Sequence, residues 1–384
     1  MRTFPVTLEH DEVTVPEDGE ADIQDRRQTG VIWSFARLAN VLALPNVRAN
    51  KRIISLEPGG HRSAGQTPEG RGRRAQPKGR GRMIQLSHEG FDLGLVPEAG
   101  GSVAWLTQGG IDLLRPARGR LDAEADPLEM AAFPMVPFSG RIGRGRFAWN
   151  GREVALAPNF HPEPHAIHGH GWLNVWDVTE QTDTSATLQY RHDADDWPWA
   201  YLAEQKFVLS KGGLSVEMRL TNLSDEAMPA GLGWHPYFPR GDARLFADAL
   251  RVWPPGADKL PGVARRPGDG EHLVSNPPVS SLSLDHAFET RDGVVEIEWP
   301  SRQLTLRLQT DGTMRHLVVF APPGQDFFCA EPASHVPNMV NMAGPAQETG
   351  LVALPPGETL VASLSLWPRL VSVSTRAAGR ATAG

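Results

Sequence analysis

The chain has one cysteine, Cys329, among 384 residues. A single thiol excludes an intrachain disulfide and any cysteine-based zinc cluster, so nothing marks an oxidising compartment and a cytoplasmic location is expected. Long hydrophobic runs are missing too. No stretch reaches the roughly 18 to 20 apolar residues of a spanning helix. Val31 to Val47 is broken by Arg37 and has no basic segment directly before it, so neither a membrane span nor an export signal is expected. Positive charge is scarce where the chain is longest. Residues 1–82 hold 14 Lys/Arg against 10 Asp/Glu, a balance of +4, so a net charge of −7 leaves −11 for residues 83–384. An acidic body offers no track for phosphates, and no nucleic-acid partner is expected.

Residues 1–82 also lack any sustained hydrophobic period. His61 to Arg82 carries seven Lys/Arg among Gly, Pro and Gln, with no apolar side chain larger than alanine apart from proline. Such a segment buries too little surface to offset the entropy of ordering it. Residues 1–82 are therefore expected to be a disordered extension, and translation starting at Met83 is one reading of it. Residues 373–384 are expected to form a flexible tail.

From Met83 onward, no amphipathic stretch of helical length competes with a strand pattern. Ile84 to Leu86, Phe91 to Leu93, Val154 to Leu156, Ala186 to Tyr190, Leu214 to Leu220, Val294 to Trp299, Leu304 to Leu308 and Leu360 to Leu366 alternate apolar and polar residues with period two. That period belongs to half-buried antiparallel strands. Asn150-Gly151, Lys211-Gly212-Gly213 and Asp311-Gly312 stand between strand candidates, where tight hairpins need positive φ. The expected fold is all-β, a large antiparallel β-sandwich over residues 83–372.

On this background a few polar residues sit in stiff or aromatic contexts. Arg141 follows the apolar approach Phe133 to Phe138, and a guanidinium emerging from apolar surroundings suits the binding of hydroxyls or carboxylates. Within His165-Ala166-Ile167-His168-Gly169-His170, an extended strand would put 168 and 170 on one face and 165 on the other. No carboxylate follows before Asp177, so no metal site is expected, and His168 reads as a substrate contact. His235, between Trp234 and Pro236-Tyr237-Phe238, is expected to be held against aromatic surface. Glu331 stands at the end of the apolar run Phe327-Phe328-Cys329-Ala330. A carboxylate there is rarely buried without a task, and a histidine with a raised glutamate can exchange protons near neutral pH.

Five motifs in order, Phe138-Ser139-Gly140-Arg141-Ile142, His168-Gly169, Gly233-Trp234-His235-Pro236-Tyr237-Phe238, Leu284-Asp285-His286-Ala287-Phe288 and Ala330-Glu331-Pro332, resemble the aldose 1-epimerase (galactose mutarotase) family over essentially all of residues 83–370. The resemblance implies a galactose-mutarotase-like supersandwich, no metal or organic cofactor, a small sugar as the partner, and a monomer or homodimer. It implies interconversion of the α and β anomers of a free sugar. Glu331 would take the proton from the anomeric hydroxyl and His235 would protonate the ring oxygen. His168 would hold the sugar near C1, with Arg141 and Asp285 on hydroxyls.

Two positions depart from the family pattern. Gly140 stands where an asparagine is common, and Trp234 stands before His235 where an asparagine is common. Lost amides and a flat indole imply weak discrimination among hexoses. Arg141, Arg144, Arg146 and Arg240 leave a hexose-phosphate mutarotase as the alternative, and a non-catalytic carbohydrate-binding protein as a further one.

Overall fold

Alternation produces strands here because one face of each strand enters a common core. In the computed structural model, which describes residues 83–370, each strand run read above is a strand or part of one, although the strand at Val154 ends at Ala155. The extension 1–82 and the tail 373–384 lie outside the described residues. Helix is confined, among the described residues, to isolated 3-10 turns and one short segment, Ala346–Thr349.

A sixteen-stranded sheet runs through Ile84–His88, Phe91–Val96, Ser102–Gln108, Ala132–Met135, Gly233–Pro239, Phe327–Ala333, His316–Phe320, Asp285–Trp299, Leu304–Thr310, Thr359–Leu370, Gly213–Asn222, Tyr201–Ser210, Ser185–His192 and Asp177–Gln181, with Ile111–Asp112 and Arg244–Trp253 pairing off this path. Every pairing between these strands is antiparallel. The sheet folds over itself. Leu86 and Leu93 from its first strands share one buried cluster with Leu188, Phe207 and Val216 from its last. Ser87 N–H also donates to the Asp183 carbonyl at 3.0 Å. Each such Leu or Phe side chain removed from water contributes about 1.5–3 kcal/mol.

Asp285–Trp299 is the strand that turns the sheet. Its first part, Asp285 to Glu289, pairs with His316–Phe320, and its last part, Val294 to Trp299, pairs with Leu304–Thr310. Gly293, at φ 68°, lies just before the second part, where an added Cβ would come within 2.3 Å of Thr310 Oγ1. Asp311-Gly312 therefore joins strands that pair with different halves of one partner and forms no tight hairpin. The Asp311 carboxylate holds that turn by accepting from the Thr313 and Met314 amides. Gly312 is not among the positive-φ residues, whereas Asn150 (φ 48°), Gly151 (φ 80°) and Gly213 (φ 138°) are, each at a hairpin between antiparallel strands.

The strands Ala132–Met135, Gly233–Pro239 and Phe327–Ala333 lie mid-sheet with nearly every residue buried. One face of them meets the common core through Trp234, Phe238, Phe328 and Ala330. The other carries Phe133, Met135, Tyr237 and Cys329, which form a separate cluster with Ile167 and Trp172. That second face bears the candidate site.

Candidate active site

Strand register brings His235 and Glu331 together. Gly233 opposes Ala333 and Tyr237 opposes Cys329, which sets His235 opposite Glu331. On the outer sides Phe133 opposes His235 and Val318 opposes Glu331. His235 Nε2 lies 3.3 Å from Glu331 Oε1, both side chains being under a tenth exposed. The His235 ring is stacked on Phe133 at 4.4 Å and tilted against Tyr237 at 4.8 Å, the aromatic clamp expected from its sequence context. Tyr237 is backed by buried Arg115, whose guanidinium lies 4.3 Å from the ring centroid and donates to the Met130 carbonyl at 2.6 Å.

Burial sets the proton affinities of the pair. It pushes the His235 imidazole down to about 3. It pushes the Glu331 carboxyl well up, with Asp285 adding to the rise and Arg141 opposing it. A dry pocket thus disfavours both charges, and the 3.3 Å contact lets a single proton serve the two groups.

His168 reaches the pair by a bend in the chain. Ala166–Ile167 is a two-residue strand, and His168 (φ 60°) and Gly169 (φ 70°) then turn left-handed. The shared strand face expected for His168 and His170 does not exist, because two positive-φ residues break the extended chain. Asn159 fixes the approach by bonding Ile167 N–H at 2.7 Å and Ile167 C=O at 2.8 Å. Gly140 N–H then donates to His168 Nδ1 at 3.1 Å, leaving the ring proton on Nε2. Burial, with the neighbouring His235 and Arg141, lowers the His168 pKa well below its usual value. A neutral imidazole with a free donor results, its ring 5.3 Å from that of His235 and nearly perpendicular to it.

Arg141 and Asp285 come to the same place. Arg141 Nη1 is 3.5 Å from Asp285 Oδ2, and its other edge forms a forked pair with Glu163 at 2.7 and 3.2 Å. Glu163 is also bonded by Lys259 Nζ. Burial pushes the Glu163 carboxyl up, but the bonds from Arg141 and Lys259 outweigh it and hold the pKa at about 2. A count that runs only downstream of His168 passes over Glu163. Its one sequence signal is a charge caged as Pro162-Glu163-Pro164.

Three further sequence readings need correction. Trp234 is fully buried in the common core, because adjacent residues on a strand face opposite ways and His235 takes the site face. It presents no flat face to the site, and Phe160, Phe320 and Phe327 are the half-buried rings packed against the site cluster instead. Arg240 leaves the arginine set, since its guanidinium donates to the carbonyls of Pro322, Val279 and Leu282. His170 is not without acidic neighbours. Asp196 Oδ1 lies 3.4 Å from its Nε2, and its ring stacks at 4.7 Å on His192.

Among the described residues, two sets of donors come close enough to surround an ion, His170 with Asp195 and Asp196, and His235 with Cys329 and Glu331, each within 4.8 Å. In the second set the imidazole and carboxyl already touch. Burial and then Glu331 push the Cys329 thiol well above its usual range, so the thiolate a metal prefers is costly to form. Treatment with EDTA is expected to leave turnover unchanged. Loss of activity that one equivalent of a divalent ion restores would contradict this.

The aldose 1-epimerase family model matches residues 82–367. The chain is 31% identical over 290 residues to the uncharacterized protein YphB of Escherichia coli K12, spanning 73% of this chain and 97% of that protein. A crystal structure of a provisionally named aldose 1-epimerase from Escherichia coli K12 superposes with a TM-score of 0.69 at 29% identity, covering 76% of this chain and all of that one. A galactose mutarotase-like protein from Clostridium acetobutylicum shares the fold at a TM-score of 0.69 and 19% identity, covering 75% and 95% of the two chains. With a match across most of its length and a fold in common, this chain belongs to the aldose 1-epimerase family.

Proposed function

We propose that the protein interconverts the α and β anomers of a free aldose by opening and reclosing its ring. The observation that carries this is the buried contact between His235 and Glu331, opposed on adjacent strands at 3.3 Å. A hydrogen-bond donor on His168 and the Arg141–Asp285 pair stand beside it.

Ring opening needs one proton removed from O1 and one delivered to the ring oxygen. With the shared proton on His235, Glu331 accepts the O1 proton as the bond from C1 to the ring oxygen breaks, and His235 protonates the departing oxygen. The aldehyde turns about C1–C2. Reclosure on the other face returns the proton from the ring hydroxyl to His235 and from Glu331 to O1, so the pair ends as it began. The sugar's own hydroxyls supply the hydrogen bonds that make the charged form of the pair affordable during the step. Positioning by His168 and Arg141 with general acid/base help is the whole demand of the reaction.

The pair's proton affinities give a pH dependence. The active form holds one proton, and the form with two is reached only when His235 is protonated beside a neutral Glu331, a step that burial pushes down to about 3. The acid limb of kcat/KM is therefore expected well below pH 6.5, with little change between pH 7 and pH 5. An acid limb near an ordinary histidine value of about 6.5 would contradict this.

The test of the function itself is optical rotation of freshly dissolved α-glucose, α-galactose and a 6-deoxyhexose. Faster decay with the protein than without it supports the proposal, and uncatalysed rates for every sugar overturn it. A binding protein would show affinity without acceleration. Gly140 offers no side chain to read a hydroxyl, and its φ of 67° and a Cβ position 2.6 Å from Pro337 explain why glycine stands there.

A further inference from the structure

On the far side of the Arg141–Glu163 ion pair is an open cleft of about 690 Å3, lined by Glu163 itself and by Arg144, Arg146, Lys259 and Asn338. That volume lies within the roughly 300–1,000 Å3 typical of small-molecule sites. Ring opening at C1 makes no use of it.

The charge of the cleft runs against that of the chain, which is −7 overall. Three cations, Arg144, Arg146 and Lys259, face two carboxylates, Glu163 and Asp258. The negative charge of Glu163 is already matched by Arg141 and Lys259. The guanidiniums of Arg144 and Arg146 form no hydrogen bond or ion pair among the described residues, although both side chains are exposed at the rim. Two arginines whose guanidiniums have no partner among the described residues therefore line one cavity.

The loop that presents them is held from several sides. Arg144 has φ 52°, a left-handed conformation that costs a residue with a side chain about 1–2 kcal/mol. Its N–H donates to His165 Nδ1 at 3.0 Å, and His165 Nε2 contacts the Asp258 carbonyl at 2.9 Å. Gly143 N–H donates to Asn338 Oδ1 at 2.9 Å, and Asn341 Nδ2 bonds the Arg146 carbonyl at 2.8 Å. The backbone under both arginines is thus fixed by side chains of the cleft wall while the arginine heads stay unused. Planar guanidiniums on a fixed base suit forked bonding to an oxyanion.

We infer that this cleft is an anion subsite: the preferred aldose carries a negatively charged oxyanion group away from C1, and Arg144 and Arg146 bind it. Phosphate, sulfate and carboxylate share the required chemistry. The inference rests on the mutarotase reading, and the experiment separates the two.

Anomerisation of glucose, glucose 6-phosphate, glucose 6-sulfate and glucuronate is to be compared in the wild type and in the double variant Arg144→Gln/Arg146→Gln, whose altered side chains are exposed. At least one anionic sugar is expected to exceed glucose in kcat/KM by about tenfold or more, the value of one charge-assisted hydrogen bond. That ratio is expected to fall to about one in the double variant, and which anion leads identifies the group. Turnover of glucose with no anionic preference, or a preference that survives in the double variant, overturns the subsite and leaves the mutarotase reading standing. Calorimetric titration with glucose 6-phosphate, glucose 6-sulfate and glucuronate gives a readout independent of turnover. Binding of an anionic sugar that weakens about tenfold or more in the double variant supports the subsite even if no sugar is anomerised. Binding of none overturns it.

Discussion

Glu331→Gln and His235→Asn are each expected to lower kcat by about 10²-fold or more, since a positioned general acid or base contributes roughly 10²–10⁴. Glu331→Gln keeps the size of the side chain, whereas His235→Asn keeps a polar group but is smaller and gives up the ring contacts with Phe133 and Tyr237. Each removes the group that holds the shared proton. Glu331→Gln also relieves a carboxyl that burial pushes well above its usual value. For Glu331→Gln stability is therefore expected to hold or rise while activity falls, a split that thermal unfolding and anomerisation rates together will show. Wild-type turnover in either variant would remove that residue from the reaction.

Gly169→Ala is expected to cost more in stability than any of the site-chemistry replacements. Gly169 sits at φ 70°, and an added Cβ would lie 2.1 Å from the Val136 carbonyl oxygen and 2.5 Å from its carbon. Backbone atoms of a buried strand end cannot step aside as a flexible side chain can. The left-handed conformation alone costs an L-residue about 1–2 kcal/mol, and the clash adds to it, so a loss above about 2 kcal/mol is expected with a fall in turnover as His168 is displaced. Gly90→Ala is the control, because Gly90 has φ 86° but open space around its Cβ position. It should lose only the conformational part. Equal losses at the two positions would mean that the packing of Gly169 on Val136 carries no weight.

Strands with one face in the core were legible because period two follows from half burial. Leu304–Thr310, with burial alternating along it, is the plainest case. The strands that carry the site are buried on both faces, so they show no alternation. His235 and Glu331 were legible only by residue type and motif. Parity would have corrected Trp234, which neighbours His235 on a strand and so faces the other way. Glu163 was hidden for a different reason. Its partners Arg141 and Lys259 lie 22 and 96 residues away in the chain, and no local pattern encodes such a meeting. The same holds for Asp195 and Asp196 beside His170. The long strand Asp285–Trp299 was read only from Val294, because Arg291-Asp292-Gly293 looks like a turn and is in fact the point where one strand changes partners.

The most direct measurement is proton exchange NMR on an equilibrated aldose, with magnetisation transfer followed between the α and β anomeric protons in the presence of the protein. Ring opening and reclosure predict cross-peaks between the two H1 resonances that grow with enzyme concentration and vanish in Glu331→Gln, with no loss of the H1 or H2 signals to solvent deuterium. Absence of enzyme-dependent exchange for all the neutral and anionic aldoses named above, from a folded protein, would contradict an anomerase acting through His235 and Glu331.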